Sequence, residues 1–95
     1  MDCKSLRFSR HAFERMFERG ITPHGKDVVV QMGEAIEDYP DDSPYPSRLL
    51  LGFVEGNPIH VVVGKEETTG SCIVITAYIP DPTFWSSDFK KRRTP

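Results

Sequence analysis

Residues 11–20, HAFERMFERG, set His11, Arg15 and Glu18 at steps of four and three, with Glu14 and Arg19 continuing the polar side. Side chains at such spacings share one side of a helix. An imidazole moves a proton near neutral pH, and a neighbouring guanidinium neutralises the non-bridging oxygens of a phosphodiester as charge builds in the transition state. This pair needs no metal. The plainer reading is a solvated, salt-bridged face on a helix that buries Phe13, Met16 and Phe17. A second histidine, His60, sits in the valine-rich run PIHVVVGKE, where a satisfied structural histidine is the commoner outcome. Thr76 and Tyr78 in TAYIP offer two hydroxyls that could meet a phosphate or pack at a strand end. Phe84 and Trp85 could stack on a base, although a lone tryptophan more often closes the open edge of a small core.

Other chemistries lack local support. The sequence contains no GxxxxGK[ST], GxGxxG, HExxH or GxSxG pattern. Cys3 and Cys72 form no CxxC and have no partners at metal-ligand spacing, so neither a zinc site nor any cofactor is expected. Cys72 reads as a small buried hydrophobe and Cys3 as a terminal thiol, which together suggest a reducing compartment. An enzymatic reading is thereby confined to metal-free acid–base work, such as RNA cleavage by attack of the ribose 2′-hydroxyl.

The elements that must position these residues are readable in outline. Ser9 is placed to cap a helix from Arg10, and Gly20 to stop it. Thr22-Pro23 opens a second helix that ends near Gly33, and the short link at Gly20-Ile21 predicts a compact helical hairpin. AIEDY reads as a strand and PDDSPYP as an irregular loop. SRLLLGFVEG and PIHVVVGKE, parted by Gly56-Asn57, predict a hairpin, and CIVITAYIP completes an antiparallel meander. The expected fold is α+β, with two N-terminal helices on one face of a four-stranded, mainly antiparallel sheet. The other face is left for water or a partner. Strand alternation predicts that His60 shares a side with Val62, and Val74 with Thr76 and Tyr78.

A chain of 95 residues holds one domain, here with a core at about 8–85 and a loose basic tail at 86–95. Its 38% hydrophobic and 27% charged residues are those of a globular protein. A net charge of −2 predicts no general polyanion or membrane partner, although Lys90 to Arg93 are basic and the middle of the chain is acidic. MDCKSLRFSR lacks an apolar leader core and no 18 apolar residues run together, so a cytosolic protein is expected.

The ordered segments HAxxRMxERGI (11–21), GExIExY (33–39), RLLLG, PIHVVV and TAYxP (76–80) resemble a bacterial family known as domain of unknown function 4258. That family looks distantly similar to the RelE/ParE superfamily of toxins. The resemblance implies two helices on a curved antiparallel sheet (a RelE-like αα-ββββ order), RNA cleavage and an antitoxin-like partner. It carries His11 and His60 as proton movers, Arg15 as phosphate clamp and Tyr78 as supporting hydroxyl, with Arg19 and Thr76 binding substrate. RelE-type nucleases carry a strongly basic surface, whereas this chain is net acidic.

Two readings therefore stand. One is a toxin-like, metal-independent endoribonuclease, which requires His11, Arg15, His60 and Tyr78 to converge in one cleft. The other is a non-catalytic module that binds an antitoxin-like protein or a second copy of itself.

Overall fold

The computed structural model describes residues 1–94. Seven elements follow in the order β1 (Ser5–Phe8), α1 (Arg10–Glu18), α2 (Pro23–Met32), β2 (Glu34–Tyr39), β3 (Ser47–Val54), β4 (Asn57–Glu66) and β5 (Ser71–Tyr78). They form an α+β domain with one five-stranded mixed sheet in the order β1-β5-β4-β3-β2. This corrects the expected four-stranded, mainly antiparallel αα-ββββ sheet. The added strand, β1, pairs parallel to β5, from Ser5↔Ser71 to Phe8↔Val74. Four residues with no turn beside them carry too little local pattern to be read as a strand, because their partner lies at the far end of the chain.

Both helices begin as their sequences require. Ser9 Oγ accepts from Ala12 N at 3.1 Å, and Thr22 Oγ1 accepts from Gly25 N at 2.9 Å with Pro23 in the first turn. Each cap satisfies an amide that the first turn leaves without a carbonyl. The helices pack on the sheet, α1 over β5 and α2 over β3 and β4, more than on each other. The compact helical hairpin is therefore replaced by two helices docked separately. Phe17 is consequently 80% exposed and Phe13 44%, and only Ala12 and Met16 of α1 are buried. Phe13 instead stacks on Phe8 of β1, at 5.7 Å between ring centres.

The core between sheet and helices joins Met16, Ile21, Val29 and Val30 to Leu50, Ile59, Val61, Val63, Val74 and Ala77. Gly52 lets α2 come close, since a Cβ there would lie 2.8 Å from Val29 Cγ2. The β3–β4 turn centres on Glu55 and Gly56, with φ of 52° and 81°. Two successive positive φ values make a turn whose twist matches that of the strands.

Two further expectations change. Cys3 and Cys72 are not free thiols but form a disulfide, which ties the chain ahead of β1 to β5. Parallel pairing of β1 on β5 brings the two together across 69 residues of sequence, and the premise of a reducing compartment is lost. The tail expected to be loose at 86–95, of which 95 lies outside the described residues, folds back within a compact strap over residues 81–94, closed by a bridge between Trp85 and Arg92. No described helix is long and apolar enough to cross a membrane.

Candidate functional site

Alternation along β4 sends Ile59, Val61 and Val63 into the helix-side core and His60 to the opposite face of the sheet. There His60 pairs with Tyr78 across β5 and lies opposite Leu51 of β3. A bulge between the Val62↔Thr76 and Val63↔Val74 pairs changes the phase of β5. Val74 therefore points into the helix-side core, while Tyr78 joins His60 on the other face. This separates Val74 from the side that alternation gave it in common with Thr76 and Tyr78.

The His60 ring is fully buried, with Trp85 edge-on at 4.4 Å and Tyr78 edge-on at 5.2 Å between ring centres. Its Nε2 lies 2.8 Å from the Phe89 carbonyl and its Nδ1 3.2 Å from the Tyr78 hydroxyl. A carbonyl can only accept, so Nε2 carries the hydrogen, and in the neutral ring Nδ1 accepts from the tyrosine hydroxyl. Burial holds the His60 pKa below 6.5, opposed by the bond to Phe89 and reinforced by the positive charge of Arg92. Burial likewise raises the Tyr78 pKa above 10.0. Both ring nitrogens are thus committed within the fold. Phe89 holds its carbonyl there at φ 61°, a conformation that costs a non-glycine residue about 1–2 kcal/mol.

The remaining candidates lie elsewhere. His11 is exposed on α1, in the layer on the other side of the sheet from His60. Arg15 is also exposed, and its nearest carboxylate is Glu18 at 3.9 Å. Arg19 closes α1 onto β5, donating from Nη1 to the Ala77 carbonyl at 2.8 Å and lying 3.5 Å from Thr76 Oγ1. The structure therefore makes two pairs, His60 with Tyr78 and Arg19 with Thr76, and leaves His11 and Arg15 outside both.

Two residues escaped the sequence reading, Phe89 in the His60 cluster and Lys26 on the helix side of the sheet. Trp85, weighed as a stacking surface for a base or as the cover of an open core edge, takes the second role: it covers His60 and carries Arg92 over its own ring at 5.0 Å. Phe89 acts through its backbone, which no side-chain pattern announces. Lys26, on α2, is buried with its ammonium 3.0 Å from Asp27 and 4.3 Å above the Phe8 ring. No spacing rule would have found that cation–aromatic contact, because Phe8 belongs to the unread strand.

An open groove of about 690 Å³ runs between β2 and the strap. Glu34 and Glu37 line it on the strand side, Lys91 and Arg92 on the strap side, and Leu49 and Trp85 also face it. Among the described residues no group of three or more His, Cys, Asp or Glu side chains could hold a metal ion.

A family model described as "Domain of unknown function (DUF4258)" matches residues 8–79. The chain is also similar to a curated protein, the 5'-nucleotidase SurE of Fervidobacterium nodosum, with 36% identity over 64 residues. That match covers 67% of this chain and 25% of the relative, so the chain spans about a quarter of the length of the curated relative it matches. No solved structure matches it significantly.

Proposed function

The chain belongs to the DUF4258 family, and from that premise we propose that it is a non-catalytic protein-interaction module. One observation carries this reading: His60, the best placed proton carrier, is sealed beneath the strap with both nitrogens bonded, while His11 and Arg15 stand on the far layer. General acid–base catalysis needs its groups within hydrogen-bond reach of one reacting centre. A surface that exposes Phe17, Met32, Phe53, Ile79 and Phe84, each by more than half, is in keeping with a binding role. The SurE likeness supports no nucleotidase reading, since it covers a quarter of that enzyme.

The test is an RNA cleavage assay of the purified protein in EDTA, with and without ribosomes, beside His11→Ala and Arg15→Ala. No cleavage is expected from any of them. Cleavage by the wild type that falls about a hundredfold in a folded His11→Ala variant, the scale of a lost general acid or base, would return the ribonuclease reading.

A further inference from the structure

The strap is built as a separate object. Most of its polar bonds close on itself: Ser86 N to the Lys91 carbonyl, Arg93 N to the Phe84 carbonyl, Phe89 N to the Ser86 carbonyl and Ser86 Oγ to Asp88. Two polar contacts tie it to the sheet, His60 Nε2 to the Phe89 carbonyl and Lys90 Nζ to Glu34 at 3.1 Å. Trp85, 6% exposed, is its apolar anchor. The strap follows β5 through the buried Pro80, and Pro80 and Pro82 fix two φ angles where the chain turns into it. The family match spans 8–79, so the floor of the cleft, Leu49, Leu51, His60 and Tyr78, lies within the family's domain and its cover lies beyond it.

Resting on the interaction-module reading, we propose that the cleft floored by His60 is a peptide-binding site that this chain keeps closed with its own strap. The natural occupant is a peptide segment with an aromatic anchor followed by lysine or arginine, of which the strap is an internal copy. The strap shows what the cleft accepts: an indole against the imidazole edge, a main-chain carbonyl four residues later at Nε2, and a cation beyond it at Glu34. Charge complementarity points the same way, because Glu34 and Glu37 line the groove from β2 and Lys90, Lys91 and Arg92 line it from the strap. The groove between them shows that the cover does not fill the cleft, which leaves an incoming segment a place to begin. Release would also free Phe89 from its left-handed backbone.

The closing experiment uses the full chain carrying Trp85→Ala, its fold checked by circular dichroism, titrated with a synthetic peptide of residues 81–94. Trp85 is the chain's one tryptophan, so in the mixture all tryptophan fluorescence comes from the peptide. A saturable blue shift is expected with the variant. Binding to the wild type, read by calorimetry because its own Trp85 also fluoresces, should be weaker by at least about tenfold, because its tethered strap competes at an effective concentration on the order of millimolar. A peptide with the tryptophan replaced by alanine should give no binding heat in calorimetry with the variant. Equal binding to both proteins, or none to a folded variant, overturns the proposal. Should the variant fail to fold, hydrogen exchange on the wild type decides: strap amides that open well before those of β4 support it, and strap amides as slow as β4 overturn it. Failure here with no RNA cleavage would leave the module reading intact and move the binding surface elsewhere.

Discussion

Burying an imidazole between Trp85, Tyr78 and the Phe89 carbonyl gives His60 a consequence that can be measured. Its folded pKa is lowered by burial, so below pH 6.5 the unfolded chain takes up a proton that the folded chain refuses. The stability His60 provides is therefore complete above pH 6.5, declines as the pH falls below it, and levels off below the folded pKa. Urea midpoints measured from pH 7.5 down to pH 5 should show this decline in the wild type and lose most of it in His60→Gln. Asp88 is exposed and its pKa is lowered chiefly by its bond with Ser86, so it acts at lower pH. A second residue-scale prediction concerns Gly52, where a Cβ would stand 2.8 Å from Val29 Cγ2 and 3.2 Å from Val29 Cα. Gly52→Ala must push α2 off β3 and is expected to cost about 1–3 kcal/mol in denaturant unfolding.

At the scale of elements, β1 is the strand with the weakest local support, and its pairing with β5 is the only parallel one among the described strands. It has four residues at the sheet's edge and is held by its ladder to β5, the Phe8–Phe13 stack and the Cys3–Cys72 bridge. Removing the bridge by Cys3→Ser restores chain freedom in the unfolded state and should lower stability by about 2–4 kcal/mol. Hydrogen exchange should then show the loss concentrated in β1, with β3 and β4 still protected. Uniform loss across the sheet would mean that β1 is part of the cooperative core. The helices were legible for the opposite reason. Ser9, Thr22-Pro23 and Gly33 act within a few residues of their own amides and carbonyls, so their consequences can be read from neighbours in the chain. The β3–β4 hairpin was likewise legible, with its turn one residue earlier than Gly56-Asn57 suggested.

For the whole molecule, the sheet is covered on both faces, by the helices on one and in part by the strap on the other. If the strap opens on its own, the cost of losing its anchor cannot exceed the free energy of that opening. Trp85→Ala should therefore lower global stability by clearly less than the ~3–5 kcal/mol usual for a deeply buried tryptophan. Trypsin should at the same time cleave at Lys90 to Arg93 faster than in the wild type. A full-sized loss in urea unfolding would show instead that the strap unfolds only with the domain.

The sequence by itself determined what depends on near neighbours: the two capped helices, the β3–β4–β5 meander, AIEDY as a strand, and membership of the family. It also determined which residues were chemically capable, His11, Arg15, Arg19, His60, Thr76 and Tyr78. Only the tertiary structure decided which of them meet. The side on which His60 and Tyr78 stand depends on strand phase, and a bulge beside Ile75 shifts that phase in a way that alternation cannot foresee. Whether His60 is free depends on a backbone carbonyl 29 residues away, and whether the cysteines are thiols depends on a strand pairing across most of the chain. Such contacts form because a folded sheet must cover its apolar faces and satisfy its buried polar atoms, and the groups that do so are chosen by proximity in space.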